Sequence, residues 1–121
     1  MSSCLIADDS RVIRLLLSKI MSNLGFSVLE AEDGEDVIEL AQTRELDLII
    51  MDWNLPVLEG IDVLYKIRSL RLMKSPKIVF CSSASDLDKI SQAIQGGADD
   101  YIIKPFDEDI VASKLTILGL L

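Results

Sequence analysis

The sequence predicts a doubly wound α/β domain, a five-stranded parallel sheet with helices on both faces. Three observations carry this. Short apolar runs alternate strictly with helix-period segments, five of each. The runs are apolar at successive positions, as strands covered on both sides must be. Polar and charged residues gather where the runs stop. The 121 residues suffice for one core and not for two, so residues 1–121 are read as a single domain.

The elements follow in order. Cys4-Leu-Ile-Ala7 is the first strand and stops at Asp8-Asp9. Ser10 then caps a helix whose Ile13, Leu16, Leu17, Ile20, Met21 and Leu24 recur at helical spacing, with Gly25 at its end. Ser27 to Ala31 reads as a short strand. Glu35 to about Thr43 reads as a helix with Val37, Leu40 and Ala41 inward. Leu48-Ile-Ile-Met51 is the strongest strand and ends on Asp52. Pro56 and Gly60 punctuate the loop from Asn54, and a helix to about Leu70 carries Ile61, Leu64 and Ile67 on one face. Pro76 precedes the strand Lys77–Cys81. Ser85 to Gln95 reads as a helix ended by Gly96-Gly97. Tyr101–Ile103 is the last strand, and Asp107 to Leu118 the last helix, opened by acidic residues that suit a helix N-terminus.

Composition narrows the function. The net charge is −8, which argues against DNA or an anionic membrane as the primary partner. The chain has no His, which excludes His general-base catalysis, His metal sites and a phosphohistidine carrier role. Cys4 and Cys81 lie far apart inside apolar runs, as buried free thiols of a reducing cytosol do. No apolar run approaches about 18 residues, so no membrane span is expected.

In such a sheet, ligands bind at the carboxyl ends of the strands. The first strand delivers Asp8 and Asp9 there, the third Asp52, the fourth Ser82 and Ser83, and the fifth Lys104 followed by Pro105. Three carboxylates at one rim repel unless a cation joins them. Oxygen donors with no His or Cys favour Mg²⁺, or Mn²⁺, over zinc. A lysine and a hydroxyl opposite such a metal suit phosphoryl oxygens. The chain lacks the glycine-rich Lys-Ser/Thr loop that cradles nucleotides.

These residues resemble the receiver domain of bacterial two-component response regulators. The resemblance spans essentially the whole chain. It rests on Asp8-Asp9, on Met51-Asp-Trp-Asn-Leu-Pro56 with Gly60 after it, on Ser82, on Gly97-Ala-Asp-Asp-Tyr101 and on Lys104-Pro-Phe106. It implies the flavodoxin-like strand order 2-1-3-4-5, which is the family's and not read from spacing. It implies that Asp52 is the phosphoacceptor, taking a phosphoryl group from a sensor histidine kinase or a phosphotransfer protein. By the same resemblance Asp9 is a direct Mg²⁺ ligand, Asp8 a ligand acting mostly through water, and Asp52 and the backbone carbonyl of Asn54 complete the protein ligands. Lys104 holds the phosphoryl group, the Lys104–Pro105 bond is cis, Ser82 is the switch hydroxyl and Tyr101 the aromatic that rotates behind it. The resemblance also implies a cytoplasmic switch whose helix 4–strand 5–helix 5 face meets a downstream protein target, as a monomer or a phosphorylation-favoured dimer.

Some positions depart from the usual pattern. Ser82 replaces the commoner Thr, and Ser83 stands where a small apolar residue is usual. Ala84 offers nothing to position a hydrolytic water, while Asn54 could, which leaves the phosphorylated lifetime open in both directions. Tyr101 also fits a half-buried strand aromatic, and Trp53 either an exposed reporter or a loop anchor. The last helix has one basic residue, unlike receivers that form salt-bridged dimers, so a stand-alone receiver is expected. The alternative is an N-terminal receiver cut from a longer regulator, since Leu118-Gly-Leu-Leu121 reads as a docked terminus, a dimer contact or a cut end. Asp52-Trp-Asn54 is also similar to the Asp-x-Asp of haloacid-dehalogenase phosphatases, but Asn54 cannot serve as that motif's general acid. A flavin-binding module on the same fold is disfavoured by the acidic pair, which would repel a flavin phosphate.

Overall fold

The computed structural model describes residues 2–121. It contains β1 (Ser3–Ala7), α1 (Arg11–Asn23), β2 (Ser27–Ala31), α2 (Gly34–Thr43), β3 (Leu48–Asp52), α3 (Gly60–Ser69), β4 (Lys77–Ser83), α4 (Leu87–Gly96), β5 (Asp100–Lys104) and α5 (Glu108–Ile117). All strand pairs are parallel, and the order is β2-β1-β3-β4-β5, as the resemblance implies.

Side chains alternate between the faces of a strand, so each strand feeds two cores. Leu5, Ala7, Ile49, Met51, Ile78 and Phe80 pack on one face, against Val37 of α2, Leu64 of α3 and Ala93 of α4. Cys4, Ile6, Leu48, Ile50, Val79 and Cys81 pack on the other, against Leu17 and Met21 of α1 and Val111 and Leu115 of α5. Each fully buried Leu or Ile contributes about 1.5–3 kcal/mol. Ser10, Asp33 and Asp107 cap α1, α2 and α5, their side chains accepting from the N–H groups of Ile13, Asp36 and Ile110.

The expected elements are present, with corrections at particular residues. Leu16, one of the α1 residues at helical spacing, is 43% exposed, and its neighbours Val12 and Leu15 are more so. Arg14 takes the interior place instead, because a buried carbonyl and two carboxylates receive it. β4 runs through Ser82 and Ser83, which pair with Ile103 and Lys104. The helix expected from Ser85 starts at Leu87. Ala84–Asp86 form a 3-10 turn first, with the Ser83 hydroxyl bonded to Ser85 Oγ (2.7 Å) and donating to Asp86 Oδ2 (3.2 Å). Such local side-chain bonds compete with the first α-helical turn. Leu118 and Leu120 dock on the α1–α5 core.

Candidate functional site

Parallel strands end on the same edge, and register then decides which ends are level. Ala7 is level with Met51, and Asp52 with Cys81, so Asp8 follows β1 just where Asp52 closes β3. Ser82 comes one residue later on β4, and Lys104 pairs with Ser83. Ligand oxygens of Asp8, Asp9 and Asp52 lie within 4.8 Å of one another. Lys104 Nζ donates to Asp8 Oδ2 at 3.0 Å and to Asp52 Oδ2 at 3.1 Å. The remaining oxygens of that pair are fixed by main chain: Ser10 N–H donates to Asp8 Oδ1 at 2.8 Å and Asn54 N–H to Asp52 Oδ1 at 3.2 Å.

Asp8 is buried, Asp9 exposed, and the Asp52 side chain 12% exposed. Burial pushes the Asp52 carboxyl above its usual range, and the Asp8 charge pushes the same way. The Asn54 N–H and the Lys104 ammonium oppose this without cancelling it. Burial works against the Lys104 ammonium, but Asp8 and Asp52 together outweigh it and raise the lysine. One ammonium thus pairs with two of three clustered carboxylates, and charge is left uncompensated. The donor set is hard oxygen, and the neighbouring Cys81 thiol, pushed up to about 12 by burial, is no competing ligand. These residues fit a hard divalent cation of the Mg²⁺ kind.

The Lys104–Pro105 bond is cis. Ser82 is 2% exposed at the end of β4. Tyr101 is not brought to the rim. It is level with Phe80 near the start of β5, half-buried, with Lys114 Nζ 4.3 Å from its ring centroid. Trp53 is an anchor: it is 5% exposed, tilted against Phe80 with ring centroids 5.1 Å apart, and Lys89 Nζ lies 5.8 Å from its ring. Arg14 has one signal in the sequence, a charged residue on the apolar side of a helical period.

The fold and its rim define a parallel α/β protein with an acidic, lysine-bridged pocket at the sheet's carboxyl edge. The model of the response regulator receiver domain matches residues 4–116, and the chain belongs to that family. It is 32% identical over 116 residues to the chemotaxis protein CheY1 of Helicobacter pylori, covering 94% of each chain. It is 38% identical over 112 residues to the cell cycle transcriptional regulator CtrA of Caulobacter vibrioides, covering 92% of this chain and 47% of that one. The receiver domain of the sensor histidine kinase PA1611 of Pseudomonas aeruginosa superposes with a TM-score of 0.85 over 98% of both chains. At 24% identity that likeness concerns the fold, and that protein holds a magnesium ion in its active-site cleft. Among the described residues no helix is long and apolar enough to cross a membrane.

Proposed function

We propose that the chain is a phosphorylation-activated switch of a two-component system or phosphorelay, with Asp52 as the phosphoacceptor. The observation that carries this is the Lys104 ammonium bridging Asp8 and Asp52 with a third carboxylate alongside. A carboxylate oxygen of Asp52 attacks the phosphorus of a phosphohistidine on a sensor histidine kinase or phosphotransfer protein. The new P–O bond forms as the P–N bond breaks, and the imidazole leaves with that electron pair. Asp8, Asp9, Asp52 and the backbone carbonyl of Asn54 hold Mg²⁺, or Mn²⁺. The bound ion supplies charge neutralisation for the phosphoryl oxygens. Lys104 turns from the carboxylates to a phosphoryl oxygen, and the Ser82 hydroxyl donates to another. The altered state reaches α4, β5 and α5 through Tyr101, and a protein target reads that face.

The reading takes residues 1–121 as one receiver unit in the cytoplasm, where buried Cys4 and Cys81 stay reduced. It is not an enzyme on other substrates, and it contacts neither nucleic acid nor membrane directly. It works as a monomer or a phosphorylation-favoured dimer.

The test is intact mass after incubation with acetyl phosphate, with and without Mg²⁺, on wild type and Asp52→Ala. The expected result is a Mg²⁺-dependent gain of one phosphoryl group that the variant lacks. A gain that persists in the variant overturns the assignment. A wild type with no adduct and no Mg²⁺-dependent beryllofluoride change in Trp53 fluorescence overturns the switch. A second reading keeps the switch and makes the chain the receiver of a longer regulator, favoured by the 38% identity to a protein about twice as long. The mass of the endogenous protein separates the two.

A further inference from the structure

The structure assigns Arg14 as a positioning residue of the acidic pocket. It sets the β1–α1 turn so that Asp8 and Asp9 are ready to bind the divalent cation. This deepens the switch reading, and its metal-binding part rests on that reading.

The Asp8 N–H still finds Ala31 O at 3.3 Å, but the β1 ladder ends at Ala7. α1 does not begin until Arg11. The Asp8 carbonyl thus falls between sheet and helix, and a buried carbonyl there needs a donor. Arg14 supplies it, with Nη1 2.5 Å from Asp8 O. The Arg14 side chain thus holds the peptide before Asp9, while its own N–H, donating to Ser10 O at 3.0 Å, makes the first bond of α1. The Asp8 carboxylate is separately fixed by the Ser10 N–H. Asp9, the exposed carboxylate, has its direction set by the two peptides that Arg14 and Ser10 hold.

The guanidinium itself is not free to move. Arg14 is 8% exposed. Its Nε lies 3.3 Å from Glu30 Oε1, and its Nη2 3.4 Å from Glu32 Oε1. A planar fork with three arms engaged is a rigid part, which an ammonium on a flexible stem is not. Glu30 and Glu32 lie at the end of β2, so the edge strand braces the turn through Arg14.

Charge and positioning predict opposite signs, which makes the idea decisive to test. A cation beside an acidic pocket weakens Mg²⁺ binding electrostatically, so deleting it should tighten binding. If Arg14 positions the ligands, deleting it loosens binding instead, by about tenfold or more, as loss of a group orienting metal ligands does. The measurement is a Mg²⁺ titration followed by Trp53 fluorescence on full-length wild type, Arg14→Met, Arg14→Lys and Glu30→Gln/Glu32→Gln, with urea unfolding in EDTA alongside. The expected result is a raised Kd for Arg14→Met, partial rescue in Arg14→Lys, and a Kd within about threefold of wild type for the double glutamine variant, whose Asp8 bond persists. A tighter or unchanged Kd in a folded Arg14→Met overturns the proposal. If Arg14→Met does not fold, Arg14→Lys decides: with a point-charge ammonium in place of the planar fork, that variant must bind Mg²⁺ more weakly than wild type, and an unchanged Kd overturns the proposal. A wild type that binds no Mg²⁺ overturns the metal reading itself, which is a different failure.

Discussion

Around the starts of β4 and β5, Arg68 meets its partners one for one. At the carboxyl edge, Lys104 meets more carboxylate than it can neutralise. Arg68 donates from Nε to Gly97 O at 2.9 Å, from Nη1 to Ser75 Oγ and Pro76 O at 3.0 and 2.8 Å, and from Nη2 to Asp99 Oδ2 at 2.9 Å. Asp99 Oδ2 also accepts from the Ile78 N–H at 2.8 Å. That network is satisfied and has nothing left to bind. The pocket of Asp8, Asp9, Asp52 and Lys104 is short of positive charge, so it gains by taking a cation. A completed network serves stability, and an incomplete one is available to a ligand.

The contrast can be broken at either end. Arg68→Met leaves the Gly97 and Pro76 carbonyls without this donor and takes one of two hydrogen bonds from Asp99 Oδ2. It should cost about 3 kcal/mol in urea unfolding, the scale of breaking a partly buried charged network, while leaving the Mg²⁺ Kd unchanged. Asp52→Asn should act in the opposite sense. Burial and Asp8 disfavour the charged carboxylate, so the amide should stabilise the metal-free fold by about 1 kcal/mol. That advantage should disappear in millimolar Mg²⁺, which only wild type can exploit fully, and a gain that survives Mg²⁺ would refute the charge argument. The smallest effect is one of pH. Asp47, which accepts from Ser3 N–H at 2.8 Å and pairs with Lys74, is held below the usual 3.8, chiefly by Lys74 and then by Ser3. A depressed carboxyl contributes stability above its unfolded pKa and loses it as pH falls through the folded one. Asp47→Asn should therefore flatten the stability profile below about pH 4 and leave its shape unchanged at neutral pH.

Much of the pocket was legible because strand ends are legible. Once apolar runs alternate with helices, Asp8, Asp52, Ser82 and Lys104 must share an edge, whatever the order of strands. The strand order itself was not in the residues and came with the resemblance. In α1 the helical spacing takes in Leu16, which is exposed, because hydrophobic period assumes that apolar positions face in. A single interior arginine displaces that pattern, and the need for it arises from the unpartnered Asp8 carbonyl, a main-chain fact with no side-chain signature. The 3-10 turn before α4 was hidden for a related reason. Ser83, Ser85 and Asp86 look like helix-start residues, and only their mutual bonds show that they hold a tighter turn. Trp53 could not be placed from sequence because its anchor, Phe80, is on the neighbouring strand.

Gly60, the first residue of α3, donates its N–H to Trp53 O at 2.9 Å, and a Cβ there would lie 2.7 Å from both Asp52 O and Phe80 Cε1. The consequence concerns how variants of this chain can diverge. Any side chain at Gly60 displaces the main chain that carries Asp52, so selection for altered signalling has no route through this position. Neighbouring Asn54 and Pro56 are exposed and can change without moving that strand. The loop can therefore drift toward new partners at its outer residues while the residue beneath Asp52 stays fixed, and a library built for new specificity should vary the first two and leave Gly60 alone.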